Sequence, residues 1–126
     1  MSDAGPYSAR VAELYAAAPG AGTPDGPGWA SGEAREPLTA THVRVHLRAA
    51  AGRVAAARYQ VRGCPHTIAA AALAVARLPG RPVAGLDADP AGLVAELGVP
   101  AAKLGRIFVI QDAIRAAALQ LNQSDP

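Results

Sequence analysis

The residues with the most chemical potential stand together as Gly63-Cys64-Pro65-His66, where an alternating strand pattern gives way to a helical one. At such a junction the free backbone N–H groups of a helix start carry partial positive charge, which favours a thiolate and lowers a cysteine pKa. Gly63 permits a sharp turn that leaves the sulfur accessible. The competing reading of Cys64 is a small, inert thiol packed as an apolar residue. His66 reads either as a ligand or acid/base partner of Cys64 or as a polar residue at a helix start. Two positions along a helix do not face each other, which weighs against the partnership. His42 and His46 lie four apart on one strand face, about 13 Å along an extended chain, too far to chelate one ion together. With Arg44 and Arg48 they read as a solvated face.

The elements that must position this junction are legible from periodicity. Residues 7–18 put Val11, Leu14, Tyr15 and Ala18 at helical spacing, and Pro19-Gly20 stops the run. Residues 20–37, rich in Gly, Pro, Ser and Thr around Trp29, read as a loop with room for at most a short edge strand. Between 41 and 62 the period becomes two. Val43, Val45 and Leu47 share one face, and after a turn at Ala51-Gly52 the residues Ala55, Ala57, Tyr59 and Val61 alternate with Ala56, Arg58, Gln60 and Arg62, which predicts a hairpin. Three helices should come next: one opened by Pro65 and stopped at Pro79-Gly80, one capped by Asp89 and ended by Gly98, and a longest one beginning near Pro100.

Composition bounds the rest. A chain of 126 residues fits one domain. Hydrophobic residues make up 51% but aromatics only 4%, so the core must be built from small side chains and gains less per residue on burial. A formal charge of +2, with arginines scattered along the chain, gives no dense basic run for a phosphate backbone. Residues 1–6 lack a targeting pattern, and the longest apolar run, 68–76, is too short to span a bilayer. One cysteine excludes an internal disulfide framework and suits a reducing compartment, so a cytoplasmic location is expected. No nucleotide-loop, nucleophile-elbow or zinc-protease motif occurs.

The order of these elements resembles the IscU/NifU-type iron–sulfur cluster assembly scaffolds over almost the whole chain. Tyr7-Ser8 with Val11 and Tyr15 is similar to that family's opening helix. Ala57-Arg58-Tyr59-Gln60-Val61-Arg62-Gly63-Cys64 resembles its second hairpin strand and the Gly-Cys after it, and Ile68-Ala69 resembles the start of its small-residue helix. Val99-Pro100-Ala101-Ala102-Lys103 is similar to its Leu-Pro-Pro-Val-Lys chaperone-recognition segment, and Asp112-Ala113-Ile114-Arg115-Ala116-Ala117 to its last helix. The resemblance implies an α+β fold: an N-terminal helix, a small antiparallel sheet, then three helices packed on one face, as a single domain over 1–126.

Family scaffolds hold a [2Fe–2S] cluster or zinc ion with three cysteines and a nearby aspartate or histidine. Counted without gaps, the family's Cys-Gly-Asp falls on Leu38-Thr39-Ala40 and its later His-Cys on Gly105-Arg106. Cys64 alone remains, as a sulfur acceptor or residual cluster and metal ligand, with Gly63, His66 and Arg106 as site neighbours. Four-coordinate iron or zinc needs several thiolates or imidazoles, and Arg106 beside Cys64 would favour an anion over a cation.

The resemblance therefore implies a scaffold-like protein of iron–sulfur cluster assembly that is not an enzyme. It would handle sulfur at one cysteine and carry a cluster only transiently or shared across a homodimer. A cysteine desulfurase and a cluster-transfer chaperone, the latter reading Val99, Pro100 and Lys103, are the implied partners. Ala101 and Ala102 in place of proline and valine should weaken that chaperone contact. Neither nucleic acid nor membrane is expected. The alternative is a non-catalytic binding or regulatory module that keeps the fold and partner surface without metal chemistry. An enzyme using Cys64 as nucleophile and His66 as base ranks behind both.

Overall fold

In the computed structural model, which describes residues 7–124, the Ser8 hydroxyl accepts the Val11 backbone N–H and so caps α1 (Ala9–Ala17). Val11 and Leu14 are the buried residues of this helix; Tyr15, expected on the same stripe, is exposed. Three antiparallel strands come next in the spatial order β1 (Trp29–Glu36), β2 (Thr41–Ala50) and β3 (Arg53–Arg62). The expected hairpin is β2–β3.

The segment 20–37 is not wholly a loop. It holds the eight-residue edge strand β1, paired with β2 from Trp29 opposite Arg48 to Glu36 opposite Thr41. The strand lacks an apolar alternation because the face it turns inward is made of Ala30, Gly32 and Ala34, which pair with Leu47, Val45 and Val43. A Cβ on Gly32 would lie 2.2 Å from the Ala117 backbone nitrogen and 2.6 Å from the Ala113 carbonyl oxygen. A helix backbone thus rests directly on the strand, and only glycine admits that approach.

That helix is α4 (Leu104–Ser124), preceded by a 3-10 turn over Ala101–Lys103. It covers β1 and β2 with Ile107, Ile110, Ala113, Ile114 and Ala117, all fully buried. The helix α2 (Pro65–Ala76) covers β3, and its alanines from 69 to 72 are also fully buried. Two elements pack on α2 rather than squarely on the sheet: α1, and α3 (Pro90–Leu97), which Asp89 caps and Gly98 ends. The α+β architecture agrees with expectation, with only α2 and α4 as the principal cover of the sheet.

Strand β3 carries an irregularity that the alternation alone does not reveal. Arg48 pairs with Ala56 and Ala49 with Val54, so Ala55 is an extra residue. Such a bulge inverts the inward–outward alternation of the strand beyond it. Val54 and Tyr59, an odd number of positions apart, are consequently both buried, while Ala55 is exposed. The outer edge of β3 is covered by irregular chain: Tyr59 exchanges backbone hydrogen bonds with Gly20 and Gly22, and Val54 with Gly80 and Arg81. No helix among the described residues is long and apolar enough to cross a membrane.

Replacing Gly32 by alanine should lower stability by about 3 kcal/mol, the upper range for overpacking, because backbone rather than a flexible side chain must move. Gly105→Ala, with open space around the new methyl, should raise it by about 0.5 kcal/mol. Urea unfolding of both variants checks the pair, and an unchanged midpoint for Gly32→Ala would contradict the helix–strand contact.

Candidate functional site

Strand β3 delivers Arg62 to the sheet's end, Gly63 turns the chain, and Cys64 becomes the N-cap of α2 with extended backbone, φ −79° and ψ 167°. Pro65 opens the helix, as its fixed φ and missing N–H allow. Thr67, three residues on, points back at the cap, its hydroxyl 3.4 Å from the Cys64 sulfur. From α4, Arg106 donates to the same sulfur with Nη1 at 3.1 Å. The sulfur is thus half-buried between the starts of two helices.

Burial pushes the Cys64 thiol up. The Thr67 hydroxyl, the Thr67 backbone N–H, the Arg106 guanidinium and the charge of Lys103 together outweigh it and bring the pKa down from an ordinary 9.0 to about 7. The Thr67 N–H acts as a nearby dipole without completing a capping hydrogen bond. Near neutrality about half the thiol is thiolate. The Arg106 guanidinium on the sulfur sets Cys64 apart from a thiol packed only among apolar side chains.

His66 has a different partner. It is 2% exposed, and Lys103 Nζ donates to its Nδ1 at 2.9 Å, while the Tyr7 ring lies 4.7 Å away by centroid. Lys103 also stands 5.2 Å over the Tyr7 ring, a cation–π contact. Burial, then the charges of Lys103 and Arg106, hold the His66 pKa below its ordinary value, so the imidazole is neutral and accepts at Nδ1. Lys103 thus takes Nδ1, one of the two ring nitrogens of His66.

Leu38, Thr39 and Ala40 lie in and after the 3-10 turn Pro37–Thr39, beside the Cys64 turn: Thr41, next along, has its methyl 3.5 Å from where a Gly63 Cβ would be. Leu38 is 94% exposed, and Ala40 is left-handed at φ 56°. The Glu36 carboxylate accepts the Leu38 and Thr39 backbone N–H groups at 3.0 Å each and the Thr39 hydroxyl at 2.8 Å. These bonds, the Thr39 hydroxyl first, hold its pKa below the usual carboxylate range, and the charge of Arg106 adds to them. The turn spends its polar groups on itself. Among the described residues no three His, Cys, Asp or Glu side chains converge as a metal site.

A family model described as the NifU-like N terminal domain matches residues 6–125. The chain belongs to that family. Two solved structures show the same fold at low identity. The N-terminal part of a nitrogen-fixing NifU-like protein from Brucella abortus superposes with a TM-score of 0.73 and 17% identity over 92% of this chain and 94% of that one. A putative iron–sulfur cluster assembly scaffold protein for the SUF system from Fervidobacterium islandicum gives 0.72 and 10% over 89% and 96%. No curated protein matches the sequence.

Within this NifU-like domain, the structure places Arg106 on Cys64, next to Gly63. It seats His66 against Lys103, and it adds Thr67, Lys103 and Tyr7, which sequence reasoning did not place in the site. Thr67 had a signal, since the third residue of a helix faces back toward its cap. Lys103 and Tyr7 had none, being brought in by the 3-10 turn before α4 and by the lead into α1. In the segment 99–103, Val99 is buried, Pro100, Ala101 and Ala102 are exposed, and Lys103 turns inward.

Thiolate absorbance should titrate with a midpoint near pH 7, and Arg106→Ala should raise it by about one unit, since a positive donor at contact distance is lost. The folded-state pKa lies below the unfolded one, so the thiolate's contribution to stability is full above pH 9.0 and is lost as pH falls through about 7. Urea midpoints of the native protein should therefore rise relative to Cys64→Ser between pH 6 and 9. A wild-type midpoint at the ordinary cysteine value, unmoved by Arg106→Ala, would refute the assignment.

Proposed function

We propose that the chain is a scaffold-like protein of iron–sulfur cluster assembly that accepts sulfur at Cys64, in the cytoplasm, and is not an enzyme. The observation that carries this reading is the Arg106 guanidinium bonded to the Cys64 sulfur. Sulfur acceptance needs one reachable thiolate, whereas a resident cluster needs several preplaced donors. The Cys64 thiolate attacks the terminal sulfur of a persulfide on a cysteine desulfurase; the old S–S bond breaks, the desulfurase cysteine leaves as a thiolate, and a new S–S bond stands on Cys64. No external oxidant or reductant enters. Thr67 and Arg106 hold the attacking anion and then the charged persulfide in place.

The residues present do not fit a resident iron–sulfur cluster or zinc ion. The positions that the family resemblance assigns to ligands carry Leu38, Ala40 and Arg106, and the nearest charges to Cys64, Arg106 and Lys103, are cations that oppose a metal ion. A cluster at this site is cargo, held transiently or between two copies. The exposed Pro100 and its alanines support a weakened chaperone contact, with Lys103 engaged at His66.

Incubated with a cysteine desulfurase and free cysteine, the protein should gain one sulfur atom by intact mass, and Cys64→Ser should gain none. Anaerobic reconstitution and desalting should leave less than one [2Fe–2S] cluster per monomer. Absence of the adduct together with a pKa near 9 would return the protein to the non-catalytic module. A stoichiometric cluster on the monomer would overturn the reading.

A further inference from the structure

The sheet face turned away from the helices concentrates positive charge that the sequence disperses. Cross-strand pairing places Arg35, His42 and Arg62 in one row, Glu33, Arg44 and Gln60 in the next, then Ser31, His46 and Arg58, then Trp29, Arg48 and Ala56. Five of the chain's twelve lysines and arginines share this face with one carboxylate, Glu33. Glu33 serves Arg44 at 2.8 Å and Arg35 at 3.7 Å. Arg48 lies over the Trp29 ring at 5.5 Å. Arg58 and Arg62 have no carboxylate partner among the described residues. Most of the chain's other described carboxylates, Glu13, Asp87, Asp89, Glu96 and Asp112, lie on the helices and their connections.

The platform is contoured. His46 is 4% exposed at its centre, held by the Ser31 hydroxyl at 2.6 Å and the Gln60 side-chain oxygen at 2.9 Å. This departs from a solvated histidine: side chains from the two flanking strands take both its ring nitrogens. Beside it a hollow of about 370 Å³ is lined by His42, Arg44, Gln60, Val61 and Arg62, room for a carboxylate side chain among donors. Arg62 ends β3 two residues before Cys64 in the chain.

We propose that this arginine face docks an acidic protein surface, with one carboxylate of the partner seated in the hollow on Arg62, the lining guanidinium that Glu33 does not already hold. Charge complementarity selects that occupant. Desolvated guanidinium–carboxylate pairs are bidentate and directional, which suits a fixed sheet. Single-stranded nucleic acid on a sheet is held largely by bases stacked on exposed rings, and here Trp29 has Arg48 over it, the His42 ring is tied to Glu33, and His46 is buried. A second copy meeting this face with its own would oppose arginines to arginines, which two-fold symmetry would enforce. The inference stands apart from sulfur acceptance, since it uses neither Cys64 nor its pKa.

The probe is a fluorescent deca-glutamate peptide, followed by anisotropy at low and at physiological salt, with ten-nucleotide oligothymidylate as its nucleic-acid counterpart. The peptide should bind at low salt and weaken as salt rises. Arg58→Gln/Arg62→Gln should weaken it about tenfold, and Arg58→Lys/Arg62→Lys by less, since charge is kept and the fork is lost. Arg10→Gln/Arg115→Gln on the helical side makes the same change in net charge and should weaken it less than twofold. Neither Arg58 nor Arg62 holds an ion pair among the described residues, so both sheet variants should unfold at the wild-type urea midpoint. Equal losses from sheet and helix variants, no peptide binding, tighter binding of the oligonucleotide, or self-association through the arginine face in sedimentation would each overturn the proposal.

Discussion

The contact between the backbone of α4 and Gly32 sets the separation between the sheet and its principal covering helix, and much of the site depends on that spacing. With methyl-sized or absent side chains at 30, 32 and 34, β1 offers no bulk to hold a helix away, and α4 settles against the strand at Ala113 and Ala117. A core made from alanine and short aliphatic groups gains little area per residue, so it relies on close approach to recover dispersion contacts. The same seating directs the first turns of α4 across the end of the sheet. Arg106 then lies over the Cys64 turn, while Ile107 and Ile110 on the adjacent face are buried beneath it.

At that turn two opposed effects act on one sulfur. Partial burial disfavours the thiolate, and hydrogen bonds from Thr67 and Arg106 with the charge of Lys103 favour it and prevail. These groups come from different elements, a first helical turn, a long helix and a 3-10 turn, so the thiolate state reports on their relative placement. Charge of one sign at contact distance also discriminates among visitors: an anionic sulfur species is stabilised where a bare metal cation is repelled. His66 stays neutral in the same field, its Nδ1 taken by Lys103. The Arg106 Nε is buried with no hydrogen-bond partner among the described residues.

The sheet separates functions by its two faces. Alternation sends Val43, Val45 and Leu47 inward and His42, Arg44 and Arg48 outward, so the strand that supplies the centre of the core also supplies the centre of the basic platform. The bulge at Ala55 keeps both arrangements in register, since it lets Val54 join the core without turning Tyr59 out of it.

The sequence alone determined what is local. The α+β order, the β2–β3 hairpin, the helix stops at glycine and proline, and Cys64 as a helix cap were legible because each depends on near neighbours in the chain. The edge strand β1 was not. Its signal is a row of small residues, which looks like loop until a helix backbone is laid on it. Resemblance to scaffold proteins led to Arg106 beside Cys64, and no spacing rule could have paired residues 42 positions apart. Only the tertiary structure decided that Lys103 and Tyr7 hold His66, that His46 is buried, and that five dispersed arginines share one face. Those outcomes depend on strand register and helix docking, which no short window of sequence encodes.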